Sequence, residues 1–398
     1  MYKALICTFC CFILLTTGSC KRNSGSNLAE SKRLITALFA EADIKVGGSR
    51  PWDIVVHNEK FYDRVLSQGS MGLGESYMDG WWDSPHLDQF MFHLFRAELE
   101  EKVKPTWGMH WTALKAFLFN LQDKIGAKKV IEEHYQLGND LYQEMLDPLM
   151  VYSCAYWKNA TTLAEAQIAK FDLICRKLSL KPGMKVLDIG CGWGGFAKHA
   201  ATYYGVSVVG ITLSENQAEH ARTLCAGLPV EIELKDYRDI EGTYDRVVSV
   251  GMFEHVGKKN FVAYFKVINN CLKPGGLFLL HTIGRNSSSL VTDPWIHKYI
   301  FPNGQLPSIA QIGEAIENEF VMEDWHNFGA YYDHTLMAWF KQFDKAWPTL
   351  KAKYGERFYR MWKYYLLSCA GCFRARKIQL WQIVLSKEGV VKGYDSIR

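Results

Sequence analysis

The sequence lacks a surplus of charge of either sign. Its 398 residues carry 46 Lys and Arg against 42 Asp and Glu, which gives a net charge of +4 at pH 7. A nucleic-acid-binding surface needs many clustered cations, so we expect no nucleic-acid partner. The hydrophobic content of 48% and charged content of 22% are ordinary for a globular protein and exclude a disordered chain. The length predicts two folded domains.

Long hydrophobic runs are also scarce. The clearest one, Ala4 to Leu15, follows Lys3 and precedes the small residues Thr17-Gly18-Ser19-Cys20. It is shorter than the roughly 20 apolar residues that span a bilayer, which argues against a transmembrane anchor. Residues 1–24 resemble a secretory or lipoprotein signal peptide, or they reflect a start codon chosen too far upstream. Both alternatives remain open, and the segment is excluded from the fold prediction.

The 11 cysteines are scattered and do not form the dense pattern of a disulfide framework. They are typical of reduced thiols in a cytosolic enzyme. Cys369 and Cys372 form a single C-x-x-C pair without a second pair, so no metal site is predicted.

Residues 25–104 are predicted to form a small, mostly helical domain. Leu34, Ile35, Leu38 and Phe39 fall on one helical face, and a Gly- and Trp-rich segment follows at residues 72–82. Residues 105–135 are predicted to be a helical linker with one apolar stripe, which either docks on the core or lies on an anionic membrane. The stripe consists of Trp107, Trp111, Leu114, Leu118 and Leu121.

From residue 136 to 398 the pattern predicts an α/β domain. Short apolar runs alternate with helix-length segments, as successive βαβ units require. This predicts a doubly wound parallel sheet whose ligand lies at the carboxyl ends of the strands. The runs are Lys185 to Ile189, Val206 to Ile211, Val230 to Leu234, Arg246 to Val250 and Gly276 to His281.

A glycine-rich turn follows the first of these runs. Gly190, Gly192 and Gly195 satisfy the dinucleotide pattern G-x-G-x-x-G. That pattern also needs an acid at the end of the second strand, where Gly210 to Ser214 contains none. Asp188, two places before the first glycine, instead resembles the nucleotide loop of S-adenosylmethionine-dependent methyltransferases. We therefore favour S-adenosylmethionine over a nicotinamide cofactor.

Five further segments resemble motifs of cyclopropane-fatty-acyl-phospholipid synthases. The resemblance extends from about residue 27 to about residue 384, with Gln136 in place of a commoner Asp. It implies a mostly parallel seven-stranded methyltransferase sheet and a smaller, mostly helical N-terminal domain. The segments are Tyr152 to Trp157, Gly210 to Gln217, Gly251 to Gly257, His281 to Gly284 and Tyr299 to Gly304.

The resemblance implies that the enzyme transfers the methyl of S-adenosylmethionine to the double bond of an unsaturated phospholipid acyl chain and then closes a cyclopropane ring. A branched methyl or methylene product is the alternative. The glycine backbone would lie near the amino-acid end of the cofactor, Thr212 or Gln217 near the ribose, and Tyr237 near the adenine. The implied cofactor residues are Tyr152, Ser153, Leu187, Asp188, Gly190, Gly192, Gly194, Gly195, Thr212, Leu213, Gln217, Tyr237 and Arg238.

Methyl transfer to an alkene leaves a carbocation, so the site needs aromatic faces and a base. Two aromatic groups are candidates, residues 152–157 and residues 325–332, although most of these side chains are expected to belong to the core. Glu254, His281 and Tyr332 are the candidate protein bases, the first two placed after the fourth and fifth strands. The resemblance implies that bound bicarbonate takes the proton, held by Cys154, Glu254, His281, the backbone of Ile283, and Tyr332. A carboxylate repels an anion, so we expect Glu254 to act partly as a hydrogen-bond donor.

Two cysteines could be read as catalytic. Cys154 has no evident partner base, and the reaction needs no covalent intermediate. Cys369 matches a thiol that has been considered catalytic in the family, although a buried structural role is the favoured alternative.

The implied substrate lies in a bilayer. The resemblance therefore implies a cytoplasmic enzyme that is peripheral on the inner membrane surface, with membrane phospholipids as substrate. It also implies a homodimer and an N-terminal domain that assists docking.

Overall fold

The structure is a computed structural model that describes residues 24–98, 138–289 and 292–398. The apolar stripe predicted between Trp107 and Leu121 lies outside the described residues, as do residues 1–23. Among the described residues, no helix combines the length and the hydrophobicity that crossing a bilayer requires.

The N-terminal part is mostly helical. Ile35 and Phe39, two members of the predicted helical face, are buried. The part contains four helices and a two-stranded antiparallel sheet: α1 Ser24–Glu41, β1 Val55–Val56, α2 Lys60–Gln68, α3 Ser70–Met78, β2 Trp82–Asp83 and α4 Leu87–Arg96.

The second part is built around a seven-stranded sheet. Its strands are β3 Lys185–Ile189, β4 Ser207–Thr212, β5 Val230–Leu234, β6 Tyr244–Val250, β7 Leu272–Arg285, β8 Val321–Asn327 and β9 Ile378–Ser386. Their order in the sheet is β5-β4-β3-β6-β7-β9-β8. The five strands from β3 to β7 are parallel, and β9 runs antiparallel to both β7 and β8. The predicted mostly parallel seven-stranded sheet is confirmed.

Helices cover the sheet. Thr162 precedes the helix Leu163–Lys177 (α6) and forms a capping box with Glu165, the sequence signature of a helix start. Three short 3-10 segments, at Tyr237–Asp239, Phe253–His255 and Lys258–Asn260, follow strands β5 and β6. The α-helices are α5 Asn139–Met145, α6 Leu163–Lys177, α7 Gly195–Tyr204, α8 Glu215–Leu224, α9 Phe261–Cys271, α10 Pro294–Tyr299, α11 Ile309–Ile316, α12 Ala330–Tyr354 and α13 Glu356–Arg374.

The two parts pack closely through α4 and α13. A Cβ at Gly371 in α13 would lie 2.7 Å from the carbonyl oxygen of Asp88 and 2.7 Å from Met91 Cβ, so only glycine permits this approach. Arg374 donates to Asp88 of α4 at 2.7 Å and also to Asp333 of α12 at 2.8 Å. A single hydrophobic cluster therefore joins the N-terminal helices to α12 and α13.

One prediction about the sheet needs correction. His281 was expected at the end of the fifth strand, but β7 continues to Arg285. The reason is long-range pairing, because β9 pairs with β7 from Leu277 to Arg285. His281 and Ile283 consequently lie within the sheet.

Candidate active site

A cleft opens at the carboxyl ends of the parallel strands, where doubly wound sheets bind ligands. Its walls come from the turns after β3, β4, β5 and β6 and from the segment before α6. Most of the predicted cofactor residues line it: Tyr152, Ser153, Asp188, Gly190, Gly192, Gly195, Thr212, Leu213, Gln217, Tyr237 and Arg238.

Two predicted cofactor residues lie behind the cleft wall. Leu187 is a fully buried core residue of β3. Gly194 precedes α7 with φ of +88°, and a Cβ there would lie 2.9 Å from Ala221 Cβ. Because of these positions, both residues support the packing of the glycine turn and do not line the cleft.

The glycine turn leaves space beside its backbone. Gly190 and Gly192 have φ of +80° and +55°, values that residues other than glycine rarely adopt. A Cβ at Gly192 would have no atom within 4 Å. The open space above this turn, beside the start of α7, fits a ligand that approaches the backbone closely.

Asp188 places an acidic group at the same turn. Its carboxyl is buried, and Oδ2 has no hydrogen-bond partner in the described structure. Burial raises the pKa of Asp188 to about 7, although the positive charge of Lys170 opposes the shift. A buried acceptor needs a partner, so this oxygen fits the ammonium group of an amino acid such as the methionine end of S-adenosylmethionine.

The opposite end of the cleft is also ordered by hydrogen bonds. Thr212 Oγ1 donates to Gln217 Oε1 at 2.9 Å, which fixes the Gln217 amide in the wall. Arg238 Nε donates to Asp236 Oδ1 at 2.8 Å, and the ring of Tyr237 packs on Tyr264 at 5.1 Å. This end combines polar side chains with an aromatic face, as the ribose and adenine of a nucleoside require.

Several cleft residues were missed in the sequence. Asp236 follows a predicted strand, so its position at a strand end was a usable signal. Lys170 lies in the middle of α6, where the sequence offers no local signal of a site residue. Met252 and His255 lie after β6.

Glu254 lies next to the cleft in the 3-10 segment after β6. The backbone N–H of Ile283 donates to Glu254 Oε1 at 2.7 Å, and Oε2 has no partner among the described residues. Burial raises the pKa of Glu254 to about 7, against the opposing effect of the Ile283 hydrogen bond. The carboxyl is therefore substantially protonated near neutral pH and can donate from Oε2.

His281 is neutral in this environment. Burial lowers its pKa well below the ordinary value, and the charges of Lys170 and Lys177 lower it further. Nδ1 lies 3.3 Å from Gln382 Nε2, and Nε2 has no partner in the described structure. His281 thus has one ring nitrogen left for a ligand.

The other predicted catalytic groups lie around Tyr332 on α12. Burial raises the pKa of the Tyr332 hydroxyl, and Cys154, Glu254 and Cys369 lie close enough to raise it further. Burial also raises the pKa of the Cys154 and Cys369 thiols. Both cysteines are therefore neutral thiols, which makes them poor nucleophiles.

The two predicted aromatic groups largely merge. The ring of Tyr156 lies 5.3 Å from Phe328 and 5.5 Å from Tyr331, so one aromatic cluster combines both. Trp325 is the exception, because it packs on Trp381 at 5.0 Å in a separate hydrophobic cluster. The expectation that many of these rings belong to the core fits their burial in the main cluster.

The free atoms of Glu254 and His281 fit a small ion that both donates and accepts hydrogen bonds. Each is buried without a partner, which is costly unless a ligand satisfies it. The Ile283 N–H, in contrast, already has a partner in Glu254. Bicarbonate, which has a hydroxyl group and carboxylate oxygens, matches the hydrogen-bonding needs of both atoms.

The sheet order, the glycine turn and the acid preceding it define an S-adenosylmethionine-dependent methyltransferase. A family model described as "Mycolic acid cyclopropane synthetase" matches residues 122–383. The chain belongs to this family of methyltransferases.

Individual relatives agree with this assignment. The chain is 57% identical to the cyclopropane-fatty-acyl-phospholipid synthase of Escherichia coli (strain K12) over 361 residues, which cover 91% of this chain and 94% of that protein. Among solved structures, the cyclopropane synthase MmaA2 from Mycobacterium tuberculosis matches with a TM-score of 0.62 and 34% identity, covering 65% of this chain and 98% of that one. Mycolic acid cyclopropane synthase CmaA1 complexed with SAH and CTAB matches with the same TM-score, identity and coverage.

Proposed function

We propose that this enzyme transfers the methyl group of S-adenosylmethionine to the double bond of an unsaturated phospholipid acyl chain and then closes a cyclopropane ring. The observation that carries the proposal is the buried pair Glu254 and His281, each with a free polar atom, beside a cleft that fits S-adenosylmethionine. The relative from Escherichia coli carries this activity in its name and covers nearly the same chain.

When bound, S-adenosylmethionine supplies an electrophilic methyl group on a sulfonium. Asp188 and the backbone of the glycine turn would hold its amino-acid end, and Gln217, Tyr237 and Arg238 its nucleoside. An alkene is a weak nucleophile, so the chain must hold it in line with that methyl group. Such positioning can lower a barrier by roughly 7–11 kcal/mol.

The aromatic cluster has a role after methyl transfer. Positive charge then develops on the acyl chain, and ring faces stabilise a nearby cation. Tyr156, Phe328 and Tyr331 contact one another at edge or tilted angles, and the ring of Phe328 also lies 5.8 Å from that of His281. These rings also exclude water, which would otherwise quench the cation as an alcohol.

Ring closure requires removal of a proton from the transferred methyl group. Bicarbonate, when bound, supplies a weak base. We assign its binding to Cys154, Glu254, His281 and Tyr332, with Ile283 orienting Glu254. A protonated Glu254 donates from Oε2 to the anion, which removes the repulsion that a carboxylate would create. Cys369 keeps a supporting role in the packing of α13.

The substrate places the enzyme at a membrane. We assign membrane docking to residues 25–104 and homodimer formation to the intact chain, with residues 105–135 as linker and 136–398 as the catalytic domain. The supporting observation is that the Escherichia coli relative, named as a phospholipid synthase, matches both parts of the chain. The enzyme would act from the cytoplasmic side, where its methyl donor is made. Sedimentation with anionic vesicles and mass measurement in solution test both assignments.

The decisive experiment uses the purified full chain and vesicles of dioleoyl phospholipid. Mass spectrometry of the lipids after incubation with S-adenosylmethionine should reveal a product heavier by one CH₂ that resists hydrogenation. A trideuteromethyl donor should lose one deuteron on ring closure. Saturated vesicles are the control and should not change. An easily hydrogenated product would indicate a methylene branch, and no product with retained donor binding would overturn the proposed substrate.

A further inference from the structure

A buried lysine lies in the cleft wall without a carboxylate partner. Lys170 is fully buried in the middle of α6 and lines the cleft. Among the described residues, no Asp or Glu oxygen lies within the 4.0 Å of an ion pair with it. Its one hydrogen bond there is from Nζ to Ser153 Oγ, at 2.7 Å. A buried ammonium with so few partners is costly unless a ligand completes its environment.

The nearby acids do not neutralise Lys170 directly. Asp147 accepts hydrogen bonds from the backbone N–H groups of Leu149 and Val151, both at 3.0 Å, and so serves the turn before Tyr152. Asp188 lies within electrostatic range of Lys170 but outside ion-pair distance. The cleft therefore holds one buried acid and one buried base that are separated from each other.

The hydrogen bond between Lys170 and Ser153 determines where the Ser153 hydroxyl hydrogen points. Burial lowers the pKa of Lys170 to about 7, and the charges of Asp147 and Asp188 oppose that shift. In its charged form the Lys170 ammonium only donates, so the Ser153 oxygen accepts from it. The Ser153 hydroxyl hydrogen then points elsewhere, and no acceptor for it occurs among the described residues. Gln167 Nε2 donates to the carbonyl oxygen of Ser153 at 3.0 Å and holds the backbone in place. Ser153 thus presents a donor to the cleft, beside Gly251 at the end of β6.

A separated acid and base that both face one cleft complement a zwitterion. We propose that Lys170 is a positioning residue that turns the Ser153 hydroxyl toward the carboxylate of the amino-acid end of S-adenosylmethionine, while Asp188 binds its ammonium group. The assignment rests on the proposed function, since it names residues for the same methyl donor. Lys170 also supplies the positive charge that offsets the bound carboxylate.

The test compares two ligands that differ in that carboxylate. Calorimetry measures the dissociation constants of S-adenosylhomocysteine and of its decarboxylated analogue, which keeps the amine. Lys170→Met should weaken binding of S-adenosylhomocysteine by roughly 10- to 100-fold, the cost of losing a charge-assisted interaction. Binding of the decarboxylated analogue should change less than about twofold. A purely structural lysine would weaken both ligands equally, and that result would overturn the assignment.

The chain offers a matched control on the same helix. Lys177 is also fully buried, but it contacts His326 Nδ1 at 3.1 Å and Asp324 at 3.5 Å, away from the cleft. Lys177→Met should lower stability and leave the ratio of the two dissociation constants unchanged. A changed ratio in that variant would contradict a specific role for Lys170.

A second set of variants keeps the test valid if Lys170→Met does not fold. Ser153→Ala should produce the same selective loss, and Lys170→Gln, which keeps a donor without a charge, should produce a smaller one. Combining Ser153→Ala with Lys170→Gln should cost less than the sum of the two, because the residues act as one unit. Additive losses would overturn the proposal. If the wild-type chain bound neither ligand, the proposed function itself would fail, which is a distinguishable outcome.

Discussion

The backbone N–H of Ile283 donates to Glu254 Oε1 at 2.7 Å and so joins the inside of β7 to the 3-10 segment after β6. This bond determines which oxygen of the carboxyl remains free. Oε1 accepts from Ile283, so the proton of the neutral acid belongs on Oε2, the oxygen without a described partner. A protonated Glu254 would therefore present its proton at Oε2, in a position that the bond to β7 holds.

Two substitutions of Glu254 should distinguish the effect of its hydrogen-bond donor from the effect of its negative charge. Glu254→Gln keeps an oxygen for Ile283 and a donor at the other position, so we expect a loss of about tenfold in kcat/KM. Glu254→Ala removes both and should lose about 100-fold or more. Steady-state assays on unsaturated vesicles measure both. Equal and complete loss in the two variants would contradict the donor role.

Glu254 should also make stability depend on pH. Its pKa rises from 4.5 to about 7 on folding, so the folded state binds more protons than the unfolded state between these values. Its contribution to stability is therefore complete below about pH 4.5 and is lost as the pH rises through about 7, up to about 3 kcal/mol. Asp188 acts in the same direction.

Urea unfolding between pH 5 and 8 checks this dependence. Buried histidines and lysines with lowered pKa values, such as His255 and Lys177, act in the opposite direction, so the test is the difference between variants. The unfolding free energy of Glu254→Gln, which cannot titrate at this position, should fall less, or rise more, with rising pH than that of the wild type. Glu388→Gln, at an exposed position, is the control for loss of a charge. An identical pH dependence in wild type and Glu254→Gln would mean that the carboxyl does not titrate in this range.

The sequence predicted the parts of the site that depend on local chemistry. The glycine turn after β3 was evident because its spacing and the preceding Asp188 are read within a few residues. Strands β3 and β5 have the predicted bounds because short apolar runs are flanked by turn residues. Lys170 could not be predicted, since only folding brings a mid-helix lysine beside Ser153. The end of β7 was misplaced for a similar reason, because its last residues pair with β9, about a hundred positions later.

The glycine turn supports a prediction about ligand space. Gly192→Ala would place a methyl group in the open cleft, so affinity for S-adenosylhomocysteine should fall roughly tenfold or more. The positive φ should add a stability cost of about 1 kcal/mol. Gly183→Ala is the matched control, because Gly183 also has positive φ and open surroundings but is exposed outside the cleft. It should cost similar stability and no affinity, and equal affinities in the two variants would contradict the placement of the ligand.

The thiols of Cys154 and Cys369 should differ in their effect on activity. Cys369→Ser should keep most activity, as expected if the residue acts only in packing against the main hydrophobic cluster. Cys154→Ala should lose about tenfold in activity, since it removes a weak donor from the proposed bicarbonate site. Both thiols have raised pKa values through burial, so iodoacetamide should alkylate them slowly at pH 7 in the folded protein. Fast alkylation of Cys154, together with inactivation, would instead indicate a nucleophile.

The same substitution at two helical glycines should have opposite effects on stability. In α11, Gly313 has no atom within 4 Å of a Cβ position, so Gly313→Ala should stabilise the protein by about 0.5–1 kcal/mol through helix propensity. In α13, a Cβ at Gly371 would meet the backbone and side chains of α4 at 2.7 to 2.8 Å. Gly371→Ala should therefore destabilise the protein by about 1–3 kcal/mol despite the same gain in propensity.

Urea unfolding measures both glycine variants, and activity on vesicles adds a second reading. Arg374 and Phe373 follow Gly371 in α13, and they contact Asp333 and the ring of Tyr332, respectively. A shift of α13 away from α4 should therefore also lower activity, whereas Gly313→Ala should leave activity unchanged. Stabilisation by both variants would mean that α4 does not pack closely on α13 in solution, and the N-terminal helices would then contact α13 only through α3 and β2, by way of bonds such as those from Arg360 to Tyr77 and Asp83 in the described structure.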